Sequence, residues 1–187
     1  APSINKEPEF HRGKRLAEHK MQGLKEVSGL AASSNNPGLL WAHNDSGNGP
    51  DLFLIDQNLS VRQRYILDGF GNRDWEDIAV GPGPDSTKNY VYVGEIGDNE
   101  AVYPLKYIYR FEEPVLDSIQ NEAFIISEFE TITFQLPDQR KDTEAFLVDA
   151  KTQDLIVISK REEPVNVYQI EYPYSTNDTI TAKQVMT

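Results

Sequence analysis

The sequence predicts an all-β protein, and three observations carry this prediction. Short apolar runs are separated by glycine, proline, asparagine and serine, a pattern typical of strands joined by turns. A four-strand pattern occurs three times, over residues 24–68, 73–136 and 141–187. Near the start of each copy, at residues 26, 74 and 142, an acidic residue precedes an apolar run. Repeated four-stranded meanders are typical of propeller blades, so we predict a β-propeller with three blades in this chain, about half of a six-bladed ring.

The first strand of each repeat follows the acidic residue. Residues 26–33, 74–81 and 142–149 all begin with Asp or Glu and have Ser or Glu two places on, before the apolar residues. Such runs, bounded by turn-forming residues, indicate buried strands. We therefore predict that the first strands of the three repeats span residues 29–33, 76–80 and 144–149.

The other strands differ in pattern by their place in the repeat. Second strands are continuously apolar, third strands combine aromatic and aliphatic residues, and fourth strands alternate polar with apolar residues. Alternation with period two is typical of a strand with one wet face, as expected at an outer edge. These strands are predicted at 39–43, 52–56, 61–67, 90–94, 106–111, 128–135, 154–159, 165–171 and 179–185.

Closure of the ring is the open question of this fold. A β-sandwich of unrelated hairpins would also explain the strands, but it gives no reason for the acid to recur at one place. Three blades leave open edges, which favour association. We therefore expect further blades or a second copy of the chain to close the ring. Residues 1–23 form an N-terminal arm, in which 8–22 could supply a closing strand or a short helix.

The charge and composition exclude several classes of function. The formal net charge is -12, from 30 acidic and 18 basic residues, and such a field repels nucleic acid and anionic lipid. No apolar run is long enough to span a bilayer. The chain has no cysteine, which excludes disulfides and thiolate chemistry. It opens with the polar stretch 1–3, as a mature exported protein does after signal removal, so we expect a secreted or periplasmic location.

The recurring acids predict a metal site. The first strand of a propeller blade lines the central channel, so acids at the same place in three blades converge near one axis. A second acid two residues on shares the same strand face. Crowded carboxylates require a neutralising cation, a shared proton or basic neighbours, and calcium suits a site made only of oxygens. The predicted calcium ligands are Glu26, Asp74, Glu76, Asp142 and Glu144.

A second set of polar residues follows the second strand of each repeat. The first two loops supply carboxylate and amide oxygens beside glycine, and the third supplies two cations that could bind an anionic group. The alternative for the first two loops is ordinary turn formation, and for the third it is a solvated edge with local ion pairs. The candidate ligand-binding residues are Asn44, Asp45, Glu95, Asp98, Asn99, Lys160 and Arg161.

Three large side chains near these loops have structural interpretations. Trp41 and Trp75 are expected to pack between blades rather than to stack on a ligand. His43 lies beside Trp41 in the second strand, where a buried structural histidine is the preferred interpretation and a general base or metal ligand the alternative.

Taken together, these motifs resemble a group of secreted bacterial propeller proteins of unassigned function. The resemblance extends from about residue 24 to the end of the chain. It rests on residues 26–31, 41–47, 74–79, 92–99 and 142–146. Members of this group are longer than 187 residues, so the resemblance implies that part of the ring lies outside this sequence.

The same group is distantly similar to phytase-like, strictosidine-synthase-like and gluconolactonase propellers. Those families hold calcium on the propeller axis and hydrolyse esters, lactones or phosphates. The resemblance implies a calcium axis for Glu26, Asp74, Glu76 and Glu144, although the full ligand set of the calcium hydrolases is not present in this chain.

Two functions follow as expectations. The first is a calcium-binding, secreted propeller that acts as a binding or scaffold module for a small molecule or a protein. The alternative is a calcium-dependent hydrolase of small esters, lactones or phosphates, with Glu76 or Glu144 as general base. No serine nucleophile motif, zinc signature or phosphate-binding loop favours the enzyme.

Overall fold

The structure, a computed structural model, describes residues 11–15, 17–18, 23–118 and 122–187. These residues form fourteen strands in three sheets and contain no helix. The prediction of an all-β fold is therefore confirmed. A membrane-spanning helix is also absent from this part of the chain.

The first sheet is a meander extended by a distant strand. Its first four strands pair antiparallel in chain order, as the repeat predicts. A short strand from the connection between the third and fourth strands of the second sheet, which the sequence did not predict, then pairs parallel with the fourth strand of the first sheet. The strands are β1 (Val27–Ala32), β2 (Leu39–Asn44), β3 (Asp51–Asp56), β4 (Val61–Leu67) and, across the edge, β8 (Phe124–Ile126).

The second sheet repeats this plan. Four antiparallel strands are joined at the outer edge by a two-residue strand that comes from the end of the chain and runs parallel to its neighbour. The strands are β5 (Trp75–Gly81), β6 (Tyr90–Glu95), β7 (Lys106–Glu112), β9 (Glu130–Gln135) and β13 (Ile180–Thr181).

The third sheet has four antiparallel strands. The prediction of one strand over 179–185 is wrong, because this segment is shared between two sheets. Its start pairs with the second sheet as β13, and its end continues as the last strand of the third sheet. The strands are β10 (Thr143–Val148), β11 (Leu155–Ser159), β12 (Val167–Ile170) and β14 (Lys183–Met186).

The second sheet is apolar on both faces because it packs between the other two. Val91 and Val93 of β6 join Trp41 in the cluster between the first and second sheets. Tyr92, which alternates with them, joins Phe146 in the cluster between the second and third sheets. Side chains alternate between the faces of a strand, so burial on both faces explains the continuous apolar run in β6.

The first strands of the three sheets lie side by side. β1 contacts β5, and β5 contacts β10. The described residues form no closed ring. Of the proposed arm, residues 11–15 and 17–18 belong to no helix or strand, and the rest of the predicted element at 8–22 lies outside the described residues. Leu24, just after the arm, covers the far face of the first sheet against Phe53 and Ile55.

Candidate metal centre between the first strands

Each first strand contains a β-bulge near its start. The pairing with the second strand skips one residue, which is Ser28 in β1, Glu76 in β5 and Glu144 in β10. A bulge leaves its extra residue unpaired and changes the direction of the side chain. These three residues are the ones that the sequence repeat places two positions after the acid, so the repeat in sequence corresponds to a repeat in backbone geometry.

The residue directly before each first strand is the recurring acid, and the loop after the second strand is fixed to its carbonyl group. Glu26, Asp74 and Asp142 precede β1, β5 and β10. Each accepts one backbone hydrogen bond at its carbonyl oxygen from that loop. The donors are the amides of Asp45 (2.8 Å), Gly97 (3.2 Å) and Lys160 (3.1 Å), respectively.

The carboxylates around β5 form two groups that share one member. The first acidic group is Asp45, Asp74 and Glu76, and the second acidic group is Glu76, Asp142 and Glu144. Within each group the ligand atoms lie within 4.8 Å of one another. We call the two groups together the acidic cleft. It brings together four of the five residues predicted as calcium ligands, and it adds Asp45 from the set predicted to bind a ligand.

Glu26 lies apart from both groups. Its side chain is exposed, and its described contacts are made by its backbone, whose amide donates to the side-chain oxygen of Asn44. The equivalent position in the other sheets is buried because a neighbouring sheet packs against it. No described sheet lies against β1 on the side away from β5, so the shared sequence position does not give a shared environment.

One carboxylate oxygen in the first acidic group is buried without a partner. Asp74 is only 6% exposed, and its Oδ1 has no hydrogen bond. Gly97 lies directly against this group, since a Cβ at that position would come within 2.5 Å of Asp74 Cγ and Glu76 Oε1. A buried carboxylate without donors is costly. The carboxylates packed against Gly97 therefore require a cation or a proton.

The pKa values agree with this geometry. Burial raises the pKa of Glu76 to about 8, and the carboxylates of Glu144, Asp45 and Asp74 act in the same direction. Burial also raises the pKa of Asp74, with further contributions from Asp45 and Asp142. Without a cation, the cleft retains a proton on Glu76 at neutral pH.

The second acidic group has basic neighbours. Lys160 Nζ lies 2.6 Å from Glu144 Oε1, and the two groups form a hydrogen-bonded ion pair. Arg161 Nε lies 2.9 Å from the buried Asp142 Oδ2, at ion-pair distance but without hydrogen-bond geometry. Arg161 also donates to the side-chain oxygen of Asn99. The two cations predicted to bind an anionic group are therefore paired with acids of the protein itself.

Two other predicted ligand residues hold loops in place. Asn44 accepts the amide of Lys25 at its side-chain oxygen (2.8 Å) and donates from Nδ2 to the carbonyl of Gly23 (2.7 Å). Asp98 accepts the backbone amides of residues 102 and 103, and its own amide donates to Asp142 Oδ1 (2.9 Å). These contacts agree with the turn-forming alternative.

Glu95, the last of this set, is a buried acid with donors. Its Oε2 accepts hydrogen bonds from Tyr109 OH (3.0 Å) and Trp75 Nε1 (3.3 Å). Arg73 Nε lies 3.4 Å from the other oxygen of the same carboxylate. Trp75 is completely buried, so the packing interpretation of this residue agrees with the structure.

His43 is a buried histidine between sheets. Its ring packs at right angles to Trp75 and lies so close to Gly29 that a Cβ there would come within 2.2 Å of Nε2. Nδ1 lies 2.9 Å from the carbonyl oxygen of Asn44 and so carries the proton. Burial lowers the pKa of His43, which favours the neutral ring expected of a structural histidine.

Lys106 is a functional candidate that sequence reasoning missed. It is almost completely buried, and its Nζ donates to the carbonyl of Ile96 at 2.5 Å. Burial lowers the pKa of Lys106 to about 8, while the negative charges of Asp98 and Asp142 oppose this shift. A lysine at the start of a predicted strand gives no signal of burial, because the cause is the packing of the acidic loop over it.

Comparison with known proteins identifies no relative. Neither the models of protein families nor the curated proteins include a match to this chain.

Proposed function

We propose that the three sheets are blades of a β-propeller. The support is the repetition of four-stranded meanders, the side-by-side position of β1, β5 and β10, and the bulge at the same place in each. In a propeller these first strands line the central channel, so the acidic cleft would lie at one mouth of that channel.

We further propose that the cleft binds one or more divalent cations and that the protein is a binding or scaffold module. The observation that carries this proposal is Asp74, a buried carboxylate with one oxygen that has no partner, in a group with Asp45 and Glu76. A cation would supply the charge that the surrounding protein does not.

Calcium is the cation that best fits these ligands. All candidate donors are oxygens, which excludes a preference for soft metals. Calcium accepts six to eight oxygens in a flexible arrangement, and carboxylates in loops and bulges can adjust to it. Weak calcium sites are typical of extracellular modules, which agrees with the secreted or periplasmic location predicted from the sequence.

The third sheet supports the proposal that the ring has further blades. Leu147 on its outer face is 47% exposed, and its neighbours Ile156, Ile158 and Val167 are only partly buried. Paired apolar residues on an open sheet face favour association. Another blade, from additional polypeptide or from a second copy of the chain, would cover this face as the third sheet covers the second.

Thermal unfolding with calcium and with chelator tests the cation site. A ligand at a free concentration about 100-fold above its Kd stabilises the folded state by about 2.7 kcal/mol. For a chain of this size that corresponds to a rise in melting temperature of about 5–10 °C. We expect calcium to produce this rise in the wild type. It should not change the melting temperature of the double variant Asp74→Asn, Glu76→Gln.

Glu26→Gln is the matched control, because Glu26 has the same sequence position as Asp74 but is exposed and outside both groups. It should keep the full response to calcium. A wild type that melts at the same temperature with calcium and with chelator contradicts the proposed function. The same samples, assayed with esters, lactones and phosphates, should show no calcium-dependent turnover. If turnover is observed, the protein is a hydrolase and the proposal of a binding module is wrong.

A further inference from the structure

Lys160 and Asp45 occupy equivalent positions in the third and first sheets. In both sheets the last residue of the second strand pairs with the first residue of the first strand, directly before the bulge. The next amide donates to the carbonyl of the recurring acid, from Asp45 to Glu26 and from Lys160 to Asp142. The same backbone position thus carries a carboxylate in one sheet and an ammonium group in the other.

The side chains at these positions have opposite effects on the cleft. Asp45 adds a third carboxylate to Asp74 and Glu76. Lys160 instead brings its ammonium group to 2.6 Å from Glu144, and Arg161 brings its guanidinium to 2.9 Å from Asp142. Asp74 Oδ1 and Asp142 Oδ2 are both without a hydrogen bond. Arg161 lies at ion-pair distance from the Asp142 oxygen, whereas Asp74 has no ion-pair partner among the described residues.

We propose that Lys160 and Arg161 take the place of a second metal ion, so that the cleft binds a single divalent cation at the first acidic group. This inference rests on the proposed function and adds the number of ions and the residues that determine it. Because Glu76 belongs to both groups, an ion bound by Asp45, Asp74 and Glu76 acts on the whole cleft, and together with Lys160 and Arg161 it sets four positive charges against five carboxylates. A second ion would have to displace the tethered cations.

Both cations can be replaced without opening the core. The side chains of Lys160 and Arg161 are each 51% exposed, whereas the Asp142 side chain that Arg161 covers is 1% exposed. Removing the two positive charges leaves Asp142 and Glu144 beside Glu76 without a countercharge. The second group would then consist of three carboxylates without an ion-pair partner, as the first group does, and it should acquire the same requirement for a cation.

The number of bound ions tests the inference. Calorimetric titration and equilibrium dialysis should give one calcium ion per chain for the wild type and two for the double variant Lys160→Gln, Arg161→Gln. The matched control is Arg62→Gln, Lys88→Gln, which removes the same charge from two exposed ion pairs outside the acidic groups and should still bind one ion.

The reciprocal variant tests the same point without relying on the double variant. Asp45→Lys places an ammonium group at the first acidic group, in the position that Lys160 occupies at the second. It should bind no calcium and should melt at a higher temperature than the calcium-free wild type. An Asp45→Lys protein that binds one ion with wild-type affinity overturns the inference.

The possible results separate the two proposals. A wild type that binds no ion overturns the proposed function together with the inference. A wild type that binds one ion, combined with a Lys160→Gln, Arg161→Gln variant that also binds one, supports the proposed function and overturns the inference. Two ions in the wild type overturn the inference alone.

Discussion

The interface between the first and second sheets buries a carboxylate at each of its ends: both oxygens of Glu113 have donors, whereas one oxygen of Asp74 has none. At the end where β1 and β7 finish, Glu113 is 2% exposed. It accepts hydrogen bonds from Ser33 Oγ (2.6 Å), Trp41 Nε1 (2.8 Å) and the backbone amide of Asn35 (2.9 Å). At the other end, where β1 and β5 begin, Asp74 is similarly buried and its Oδ1 has no partner.

This difference separates a structural acid from a candidate ligand. Burial alone does not indicate function, since Glu113 is more buried than Asp74 and is explained by its donors. The β1–β2 loop closes over Glu113 and fixes the first sheet to the second. At the Asp74 end, the carboxylates of Asp74 and Glu76 occupy the position that a side chain of residue 97 would otherwise fill. A buried carboxylate oxygen without a donor is the feature that points to a cation.

The largest expected effect is on the satisfied acid. Glu113→Gln should destabilise the protein by about 3 kcal/mol, because the new amide nitrogen faces backbone N–H donors and charge-assisted hydrogen bonds are lost. The melting temperature, measured by thermal unfolding, should fall by roughly 6–12 °C. Calcium should raise the melting temperature of this variant by as much as it raises that of the wild type.

The neighbouring residue provides the control for this variant. Glu112 forms an exposed ion pair with Lys88 at 2.6 Å. Glu112→Gln should therefore change the free energy of unfolding by no more than about 0.5 kcal/mol. Equal effects of the two variants would show that the donors around Glu113 do not distinguish it from a surface acid.

A smaller effect is expected from pH at the unsatisfied end. In calcium-free protein the pKa of Glu76 is raised from its ordinary 4.5 to about 8 by burial and neighbouring acids. Between these values the folded state binds a proton that the unfolded state has lost. The stability linked to Glu76 is therefore fully present below about pH 4.5 and is lost as the pH rises through about 8.

Glu76→Gln removes this dependence, since glutamine does not titrate. The free energy of unfolding of the variant minus that of the wild type should increase with pH across this window, by on the order of 2 kcal/mol. This is less than the full ~5 kcal/mol for such a shift because the neighbouring carboxylates share the titration. Urea unfolding in the presence of chelator measures this difference. The lowered pKa of His43 changes stability in the opposite direction, but it does so in both proteins and cancels in the difference. A difference that does not vary with pH contradicts a raised pKa for Glu76.

The elements of each sheet could be predicted because their signals are local. Each of the twelve predicted strands overlaps an observed strand, since apolar runs and turn residues are read from neighbouring positions. β8 and β13 were not predicted as additions to earlier sheets. Both pair parallel with strands far away in the sequence, and no local pattern specifies such a partner.

The candidate site was predictable to the extent that register determines proximity. The recurrence of the acid indicated that Asp74 and Asp142 start neighbouring strands, and their carboxylates lie in adjoining groups. It also suggested Glu26, which has the same register but lacks a sheet on its other side. The contributions of Asp45 and Lys160 depend on how loops fold back onto the cleft, which the strand pattern does not contain.

The smallest effect is expected from a substitution of Gly97, against which the unsatisfied acid packs. In Gly97→Ala the new methyl group would lie within 2.5 Å of Asp74 and Glu76 carboxylate atoms, which are the ends of side chains and can move aside. The backbone should be retained while the ligand oxygens shift, so we expect calcium affinity to fall about tenfold, equivalent to about 1.4 kcal/mol. Calorimetric titration measures this change, and Gly71→Ala is the control because nothing lies within 4 Å of its Cβ position. If Gly97→Ala binds calcium as the wild type does, the ion does not depend on the oxygens beside Gly97, and the contrast between the two ends of the interface reflects packing alone.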